Sequence, residues 1–360
     1  MRITIIAGAR PNFIKIAPII HAMQKAAKNG VSLNYRLIHT GQHYDNEMSA
    51  IFFQELSIPH PAANLGVGSG TQAQQTAAIM TTFEKELISN PADLVLVVGD
   101  VTSTLACAIV AKKLQTRVAH VEAGIRSFDL SMPEEINRMV TDSIADMFFT
   151  TTESAGENLR RSGITEDRIH FVGNVMIDTL LSNRHRFTPP SICDLLRLKD
   201  REYLVMTMHR PGNVDESGRL ISIISAITGS ARGLPVIFPA HPRTARVLND
   251  SVIVAPNLHL TAPLGYLQFN YLVEHAKCVI TDSGGVTEET TVMGIPCMTL
   301  RNNTERPETV TIGTNRLLGT NPASITQAFE DLFNDRWPRG CVPYLWDGKA
   351  AERIVDQLMR

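Results

Sequence analysis

Short apolar segments alternate with longer amphipathic segments along almost the whole 360-residue chain. The apolar segments have the length of buried strands, and segments such as 13–25, 71–88 and 220–228 repeat apolar residues at helical spacing. This alternation predicts parallel β-sheets with helices on both faces, an α/β fold. The predicted strands are 3–7, 33–39, 94–98, 117–121, 147–151, 169–172, 203–208, 235–239, 258–261, 278–281 and 296–300.

The alternation starts again after residue 175, and a polar segment with two adjacent prolines, 182–200, follows it. We therefore predict two doubly wound, Rossmann-like domains, residues 1–175 and 176–345. Ligands of this architecture bind beyond the carboxyl ends of the strands, so we expect a central cleft between the domains. Residues 346–360 contain a predicted helix, and the sequence leaves open whether it packs back on the first domain.

Composition argues against several classes of protein. The net charge is −2 and there is no basic tail or stripe, so nucleic acid is not an expected partner. No apolar run reaches the roughly 20 residues of a membrane span, and the first residues predict a strand rather than a secretory signal. We expect a cytoplasmic protein without a membrane partner. The five cysteines form no C-x-x-C pair, so reduced buried thiols are expected rather than disulfides or zinc.

The clearest ligand-binding pattern is the segment 281–289 in the second predicted domain. Ser283, Gly284 and Gly285 follow an apolar strand, and residues 290–293 are predicted as the start of a helix. A glycine turn leaves backbone N–H groups open, and a helix N-terminus favours a phosphate. Glu289, near the start of the helix, could accept hydrogen bonds from ribose hydroxyls. We interpret the segment as a nucleotide diphosphate site, although an ordinary strand–turn–helix corner would have the same residues.

The segment 8–15 follows the first predicted strand and adds two cations. It matches neither G-x-G-x-x-G nor G-x-x-x-x-G-K-[ST], which argues against a dinucleotide-binding fold and a P-loop ATPase. Arg10 could clamp a phosphate, and Lys15 lies about one turn inside the next helix. A pair of surface cations is the alternative.

Three carboxylates are candidates for acid–base chemistry. Asp100 and Glu122 follow two predicted strands that should be neighbours in a parallel sheet. Partial desolvation at such a position raises a carboxyl pKa toward the useful range. Glu134 begins a predicted helix after Pro133. Asp100 could instead cap a helix, and Glu134 could be part of an ordinary helix start.

Two histidines and an arginine-rich loop also follow predicted strands. His209 and His241 could each hydrogen-bond a phosphate or act as an acid. Neither has the spacing of a metal ligand, so no catalytic metal is predicted. The loop 301–308 contains Arg306 among several charged residues and is expected to face a ligand, unless it is a salt-bridged surface loop.

Taken together, these segments resemble the non-hydrolysing UDP-N-acetylglucosamine 2-epimerases over nearly the whole chain. Their order and spacing are more specific than any one of them. The matching segments are Gly8-Ala9-Arg10-Pro11 with Lys15, Thr40-Gly41-Gln42-His43, Gly99-Asp100, His120 to Arg126, Pro133-Glu134-Glu135 with Arg138, Met208-His209-Arg210, Asp282-Ser283-Gly284-Gly285 with Glu288-Glu289, and Thr304 to Glu308 followed by Gly313-Thr314.

The resemblance implies a glycosyltransferase-B-like arrangement, usually as a homodimer, and reversible conversion of UDP-GlcNAc to UDP-ManNAc for bacterial surface polysaccharides. It implies that the first domain carries the catalytic carboxylates and that the second binds UDP. The implied catalytic residues are Asp100, Glu122, Glu134 and His209. The implied substrate-binding residues are Arg10, Lys15, Arg138, His241, Phe269 beside the uracil, Ser283, Gly284, Gly285, Glu289 and Arg306.

The chemistry of epimerisation at C2 limits the mechanisms that such an enzyme could use. No carbonyl acidifies the proton on C2 of the sugar, so direct deprotonation is prohibitive. Transient oxidation at C3 would need a nicotinamide, and the sequence has no dinucleotide fingerprint. Expelling UDP while a base removes the C2 proton gives a glycal, and UDP can then add back. That route needs a diphosphate clamp, acid–base groups on both sides of the ring, and no cofactor.

The chain departs from the common family pattern at three places. Ala9 with Asn12-Phe13, the segment 211–213 and the segment 44–48 differ from most bacterial members. The last difference predicts that activation by a second UDP-GlcNAc is weak or absent. It also leaves a modified UDP-amino-sugar open as the substrate, of the diacetamido-uronate or N-acetylfucosamine type.

Three other functions remain open on sequence alone. A hydrolysing epimerase usually has Thr-Arg-Ala-Asp at the first motif, unlike Ala9-Arg10-Pro11-Asn12. A glycosyltransferase of the same architecture would need an acceptor groove but no base at C2. A silent sugar-nucleotide-binding protein would have no need of the carboxylates.

Overall fold

The computed structural model describes residues 1–42, 46–214, 216–240, 244, 248 and 255–360. The chain forms two compact units. Unit 1 contains Met1–Ser182 and Tyr344–Arg360, and unit 2 contains Asn183–Pro343. The boundary suggested near residue 175 lies at the start of a helix, Val175–Asn183, and the unit boundary lies at its end.

The described part of unit 1 is a parallel sheet covered by helices. Its strands are β1 (Arg2–Ala7), β2 (Asn34–His39), β3 (Ala63–Asn64), β4 (Leu94–Val98), β5 (Arg117–Val121), β6 (Met147–Thr150) and β7 (Ile169–Phe171). Its helices up to the unit boundary are α1 (Arg10–Lys28), α2 (Asn46–Glu55), α3 (Gln72–Ser89), α4 (Thr102–Lys113), α5 (Pro133–Ile144), α6 (Glu153–Arg161) and α7 (Val175–Asn183), with a 3-10 turn at Glu166–Arg168. The strand order is β3-β2-β1-β4-β5-β6-β7.

The described part of unit 2 repeats this arrangement. Its strands are β8 (Leu204–Thr207), β9 (Val236–Pro239), β10 (Leu258–Thr261), β11 (Cys278–Thr281), β12 (Cys297–Thr299) and β13 (Asn315–Leu317), in the order β10-β9-β8-β11-β12-β13. Its helices are α8 (Ser191–Leu196), α9 (Pro211–Val214), α10 (Ser217–Ser230), α11 (Tyr266–His275), α12 (Gly284–Met293), α13 (Pro307–Thr311) and α14 (Pro322–Phe333), with a 3-10 turn at Arg184–Arg186. The predicted α/β class, with a Rossmann-like layout in each unit, is confirmed.

Burial on both faces explains the apolar runs. Every residue of β4 is buried, as is every residue of β11, because helices cover both sides of each parallel sheet. Each predicted strand has a counterpart, but β3 and β13 were not predicted. They are two and three residues long, too short for a periodic signal, and they form by pairing with β2 and β12.

The last helix, α15 (Ala350–Leu358), belongs to unit 1. Asp178 on α7 accepts hydrogen bonds from the backbone N–H groups of Ala350 and Ala351, at 3.1 and 2.7 Å, and so caps its start. Burial raises the pKa of Asp178 to about 6, although both backbone donors act against the rise. Trp346 donates its indole N–H to the carbonyl of Thr151 at 3.1 Å, which fixes the segment before the helix.

Two global expectations can be compared with the described residues. None of their helices is long and apolar enough to cross a membrane. All five cysteines are free thiols, and Cys107, Cys278 and Cys297 are buried as expected. Cys193 is half-buried and Cys341 is exposed, because both lie in connecting segments or short helices outside the sheet core.

Candidate active site

Lys15 and Glu122 form a buried ion pair beyond the carboxyl ends of the central strands of unit 1. Lys15, on α1, places its ammonium 2.8 Å from Oε1 and 2.7 Å from Oε2 of Glu122. Both side chains are almost completely buried, at 7% and 3% exposure. A buried carboxylate needs such a partner, because an uncompensated charge in the interior is costly.

The backbone at Glu122 is in an uncommon conformation. Its φ of 72° lies in the left-handed region, where non-glycine residues are rare and strained by about 1–3 kcal/mol. The conformation follows directly after β5 and is held by a hydrogen bond from the Glu122 N–H to the carbonyl of Phe149, at 2.9 Å. Strain kept at a buried carboxylate is a typical mark of a functional position.

Gly99, which precedes Asp100, shows why the end of β4 requires glycine. Its φ is 67°, and a Cβ at this position would lie 2.8 Å from Nζ of Lys15. A side chain there would disturb the Lys15–Glu122 pair. The turn at Gly99 thus places Asp100 beyond β4 while leaving the Lys15 ammonium in position.

Asp100 is held by α5. Arg138 donates from Nη2 to Oδ2 of Asp100 at 2.8 Å and from Nε at 3.1 Å, and Asn137 donates to the Asp100 carbonyl at 2.8 Å. Asp100 keeps 23% of its side chain exposed, whereas Arg138 keeps 3%. The arginine is therefore a buried support, and the carboxylate is the member of the pair that a ligand could reach.

The buried face of α5 is polar, which is unusual for a helix against a sheet. Glu135, Asn137, Arg138, Thr141 and Asp142 are buried, whereas Ile136 and Met139 on the same helix are exposed at 47% and 46%. This reversal shows that α5 is selected for polar contacts with the strand ends.

Glu134 and Glu135 are adjacent in sequence but have different environments. Glu135 is fully buried, accepts N–H bonds from Ser127 and Phe128 at 2.9 and 3.1 Å, and contacts Arg138 at 2.5 Å. Glu134 is exposed on the first turn of α5. Glu135 is thus occupied within the protein, and Glu134, the residue selected from the sequence, is accessible.

The strands carrying Asp100 and Glu122 are neighbours, as the sequence predicts. β4 and β5 pair in parallel register, with Val98 opposite Val121. Asp100 and Glu122 therefore leave adjacent strands at the same edge of the sheet. Unit 1 brings together Lys15, Asp100, Glu122 and Arg138 among the residues selected from the sequence.

In unit 2, Asp282 organises the loop that follows β8. Its carboxylate accepts the backbone N–H groups of His209 and Arg210 at 3.0–3.1 Å, the ring Nδ1 of His209 at 3.3 Å and the amide of Asn213 at 3.0 Å. Burial alone would raise the pKa of Asp282, but these hydrogen bonds hold it below its usual value. The His209 ring is 63% exposed and available to a ligand.

The segment Ser283-Gly284-Gly285 lies at the N-terminus of α12, and the helix begins earlier than the sequence indicates. Ser283 is the residue before the first turn, and both glycines are already helical. The start precedes the predicted 290–293 because glycine adopts helical angles as readily as turn angles. The first backbone N–H groups of a helix lack internal partners, so this segment has the geometry of an anion site.

Arg301 was not selected from the sequence, but the structure makes it a candidate. A Cβ on Gly284 would lie 4.0 Å from Nη1 of Arg301 and 2.9 Å from Oε1 of Glu305. Arg301 is buried, and Nη2 contacts Glu305 at 2.5 Å. The Arg301 guanidinium therefore lies beside the start of α12. The sequence pointed to the whole loop 301–308, and the position of Arg301 just after β12 could have identified it as a candidate within that loop.

Glu289 is buried in the middle of α12, not at its surface. The hydroxyl of Tyr266 donates to Oε1 of Glu289 at 2.9 Å, and both side chains are buried. Burial raises the pKa of Glu289 to about 7. The negative charge of neighbouring Glu288 also raises this pKa, whereas the Tyr266 hydrogen bond acts against the rise. Only 4% of Glu289 is exposed.

The remaining selected residues differ in how they are placed. Arg306 is 5% exposed and donates from Nε to the buried Glu288 at 2.6 Å, so it braces α12. Phe269 is half-buried on α11. Arg10 begins α1, but its side chain lies outside the described part of the structure, and His241 lies outside the described residues altogether. The described part contains no cluster of three or more His, Cys, Asp or Glu that could hold a metal ion.

Comparison with known proteins agrees with this geometry. Residues 25–359 match the family model described as UDP-N-acetylglucosamine 2-epimerase. The structure resembles the Methanocaldococcus jannaschii UDP-GlcNAc 2-epimerase in complex with UDP-GlcNAc and UDP, with a TM-score of 0.90, 42% identity and 99% of each chain covered.

Two further comparisons bear on substrate and fold. The Pseudomonas aeruginosa UDP-2,3-diacetamido-2,3-dideoxy-D-glucuronate 2-epimerase is 39% identical over 100% of both chains. A lipopolysaccharide outer core galactosyltransferase shares the fold alone, at 13% identity and a TM-score of 0.56 with 99% of each chain covered. The match along residues 25–359 decides the family: this chain belongs to the UDP-N-acetylglucosamine 2-epimerases, which are isomerases.

Proposed function

We propose that the chain is a non-hydrolysing epimerase that interconverts UDP-GlcNAc and UDP-ManNAc. The observation that carries this proposal is the pair of carboxylates beyond β4 and β5, each in contact with a buried cation. Lys15 contacts Glu122 at 2.7 Å and Arg138 contacts Asp100 at 2.8 Å. A charged carboxylate is the form that can remove a proton.

In the proposed reaction, one carboxylate removes the proton from C2 of the sugar while the bond from C1 to the diphosphate oxygen breaks. The bonding electrons leave with UDP, and the electrons of the C2–H bond form the C1–C2 double bond of a 2-acetamidoglucal. Protonation of C2 on its other face and attack of UDP on C1 then give the epimer. The route is redox-neutral, so atoms and electrons balance without a further reactant.

Asp100, Glu122 and Glu134 are our candidates for the acids and bases of the two half-reactions. Glu122 is held most rigidly, by the Lys15 contact and the strained backbone. Asp100 and Glu134 are more accessible, so either could exchange protons at the sugar. The assignment of each acid to a face of the ring is open.

We assign the UDP portion of the substrate to residues of unit 2 and to Arg10. The backbone N–H groups of Gly284 and Gly285 at the start of α12 suit the diphosphate, with Ser283 beside them, and the exposed ring of His209 can assist there. The N–H of Ser283 itself donates to the hydroxyl of Thr281 at 3.0 Å. Glu289 is proposed to bind the ribose hydroxyls and Phe269 to lie beside the uracil. Lys15, Arg138 and Arg306 support neighbouring acids, and the role of His241 at the diphosphate is proposed from sequence.

A second candidate substrate is a UDP-2,3-diacetamido-uronate. The 39% identity to the Pseudomonas aeruginosa enzyme that carries this name supports it, since this value is close to the 42% shared with the Methanocaldococcus jannaschii protein. Both substrates would react at the same C2 centre. They differ at C3 and C6 of the sugar, so relative kcat/KM values for the two would identify the preferred one.

The decisive experiment is proton exchange in heavy water. The protein is incubated with UDP-GlcNAc without added NAD or metal, and the sugar nucleotides are followed by proton NMR. We expect deuterium at C2 of both epimers with UDP still attached. Free ManNAc would instead indicate the hydrolysing branch. Absence of exchange with both candidate substrates would contradict epimerase activity and favour a transferase or a binding protein.

The biological setting remains a proposal as well. We propose a cytoplasmic homodimer that supplies UDP-ManNAc for surface polysaccharides. Ile136 and Met139 are both exposed and lie three residues apart on α5, where a second copy of the chain could cover them together. Light scattering at several protein concentrations would test the dimer.

A further inference from the structure

We propose that Asp142 is a positioning residue for the reaction, because one carboxylate ties together the two backbone segments that carry Asp100 and Glu122. The inference rests on the proposed function. Asp142 lies two turns into the body of α5, beyond Arg138 on the same buried face, and is 2% exposed. It acts through its partners rather than on the substrate.

The first oxygen of Asp142 reaches the segment that carries Asp100. Oδ1 accepts the ring Nδ1 of His120 at 2.7 Å, and His120 Nε2 donates to the carbonyl of Gly99 at 2.8 Å. Gly99 directly precedes Asp100. The carboxylate, the ring and the peptide therefore form one chain of hydrogen bonds from α5 through β5 to the end of β4.

The second oxygen reaches the segment that carries Glu122. Oδ2 accepts the backbone N–H of Gly124 at 3.1 Å and contacts Nη1 of Arg126 at 2.6 Å. Gly124 has a φ of 78°, and a Cβ there would lie 2.2 Å from the Ala155 carbonyl, so this turn packs directly against the backbone of α6. Glu122 is thus fixed from both directions, since His120 precedes it on β5.

Both nitrogens of the His120 ring lie within hydrogen-bonding distance of an oxygen. Nδ1 faces a carboxylate oxygen of Asp142 and Nε2 faces the carbonyl oxygen of Gly99. Burial disfavours the ionised form of Asp142, but the His120 ring and the Arg126 guanidinium outweigh it and hold the pKa of Asp142 below its usual value. Asp142 therefore lies between the His120 ring and the Arg126 guanidinium, and His120 is fully buried.

Such a network has a direct consequence for rate. Loosening a reacting group by about 1 Å can cost a factor of roughly 100 even when substrate still binds. Removing the charge of Asp142 releases His120 from one side and Arg126 from the other. Both segments then lose their common anchor. The expected signature is a lower kcat at nearly unchanged affinity. Because a smaller folded fraction would also lower the apparent kcat, kcat is expressed per UDP-binding site counted by calorimetry.

The test compares Asp142→Asn with a matched control, Asp146→Asn. Asp146 accepts the N–H of Val118 at 2.7 Å and pairs with Lys112 at 2.7 Å, so it holds the opposite end of β5 in the same way. We expect Asp142→Asn to lower kcat for C2 exchange roughly tenfold to a hundredfold. KM and the affinity for UDP should stay within about twofold, and the control should keep kcat within about threefold.

Two kinetic outcomes would overturn the proposal. One is a wild-type kcat in Asp142→Asn. The other is an equal loss of kcat in both variants, which would indicate that each aspartate only stabilises the fold.

A second measurement does not depend on turnover. In the wild-type protein labelled with 15N-histidine, the ring of His120 is assigned by its proton contacts with Gly99. Both ring nitrogens should carry protons at the pH of the assay. A neutral ring would contradict the network even if Asp142→Asn proved too unstable to assay. If the wild type showed no exchange while the ring was doubly protonated, the proposed function would fail but the anchoring geometry would stand.

Discussion

The candidate catalytic carboxylates of unit 1 and the proposed ribose-binding Glu289 of unit 2 have different partners. In unit 1, Glu122 contacts the Lys15 ammonium and Asp100 contacts the Arg138 guanidinium. In unit 2, the hydroxyl of Tyr266 donates a hydrogen bond to Glu289, and burial raises the pKa of Glu289 to about 7. Asp100 and Glu122 follow strands and contact cations, whereas Glu289 lies within α12. Burial raises the pKa of Glu289 even though its Tyr266 partner acts against the rise.

This difference matches the parts that we propose for the two units. Acids that exchange protons with a substrate must be charged at some point in the cycle, and cations beside them favour that form. An acid that binds hydroxyls can serve in either form, since a carboxyl group can accept or donate a hydrogen bond. Three changes test whether the comparison holds.

The largest effect should come from Asp100→Asn. The change removes the proton acceptor but keeps the size of the side chain and the contact with Arg138 in reduced form. We expect C2 exchange to fall by about 10² to 10⁴-fold. Calorimetry should still show UDP binding, because the proposed diphosphate residues are untouched.

Asp93→Asn is the matched control, since Asp93 precedes the same strand and pairs with Arg2 at 2.8 Å on the surface. Its exchange rate should equal that of the wild type. Near-normal exchange in Asp100→Asn would show that Asp100 has no part in proton transfer.

The next largest effect should be a loss of stability when the Lys15–Glu122 ion pair is broken. Lys15→Met leaves the buried Glu122 without its ammonium partner, and unpaired buried charges cost about 3–5 kcal/mol of unfolding free energy. The double variant Lys15→Met with Glu122→Gln removes both charges and should recover much of this loss. Urea unfolding followed by circular dichroism measures both variants.

The exposed pair Lys25–Glu352 provides the contrast, because solvent screens it. Lys25→Met should leave the unfolding midpoint nearly unchanged. If the double variant were as unstable as Lys15→Met, the damage would come from lost packing of the lysine stem rather than from charge.

The smallest effect should be a change in pH dependence at Glu289. The folded pKa is about 7 against a usual value of 4.5, so the folded state holds an extra proton between these values. Stability from this group is complete below pH 4.5 and falls as pH rises through 7, by on the order of 3 kcal/mol. Glu289→Gln stays neutral, so its stability relative to the wild type should rise from pH 5 to pH 8.

Thermal unfolding without ligand at pH 5, 6.5 and 8 would measure this trend. Glu352→Gln is the control, because the Lys25 contact lowers the pKa of Glu352, so its contribution changes only below about 4.5. A parallel pH profile for Glu289→Gln and the wild type would show that Glu289 is charged in the folded protein. The contrast that we draw between Glu289 and the two acids of unit 1 would then be wrong.

The sequence predicted the strands well because a parallel sheet buried on both sides leaves long apolar runs. It also placed Asp100 and Glu122 on neighbouring strands, since polar residues directly after such runs must lie at one edge of the sheet. The pairing of β4 with β5 confirms this expectation. The positions of Asp100 and Glu122 just after predicted strands were therefore enough to predict that they lie at the same edge of the sheet.

The partners of those candidates could not be predicted. Asp142 and His120 are 22 residues apart, and Tyr266 and Glu289 are 23 apart, with no shared periodicity between the members of each pair. Such contacts depend on how α5 and α11 lie against their sheets, which local patterns do not encode. The polar burial of α5 was not visible in the spacing of its residues, because Met139 lies four residues after Glu135 and three before Asp142 and so neighbours both on the helix surface.

The attachment of α15 to unit 1 has a consequence for the order of synthesis. Residues 344–360 leave the ribosome only after all of unit 2 has been made. Asp178 and Thr151 in unit 1 accept hydrogen bonds from this last segment. Until this segment emerges, the Asp178 carboxylate and the Thr151 carbonyl lack the donors that Ala350, Ala351 and Trp346 supply. Unit 1 therefore completes these hydrogen bonds only after the whole of unit 2 has been synthesised.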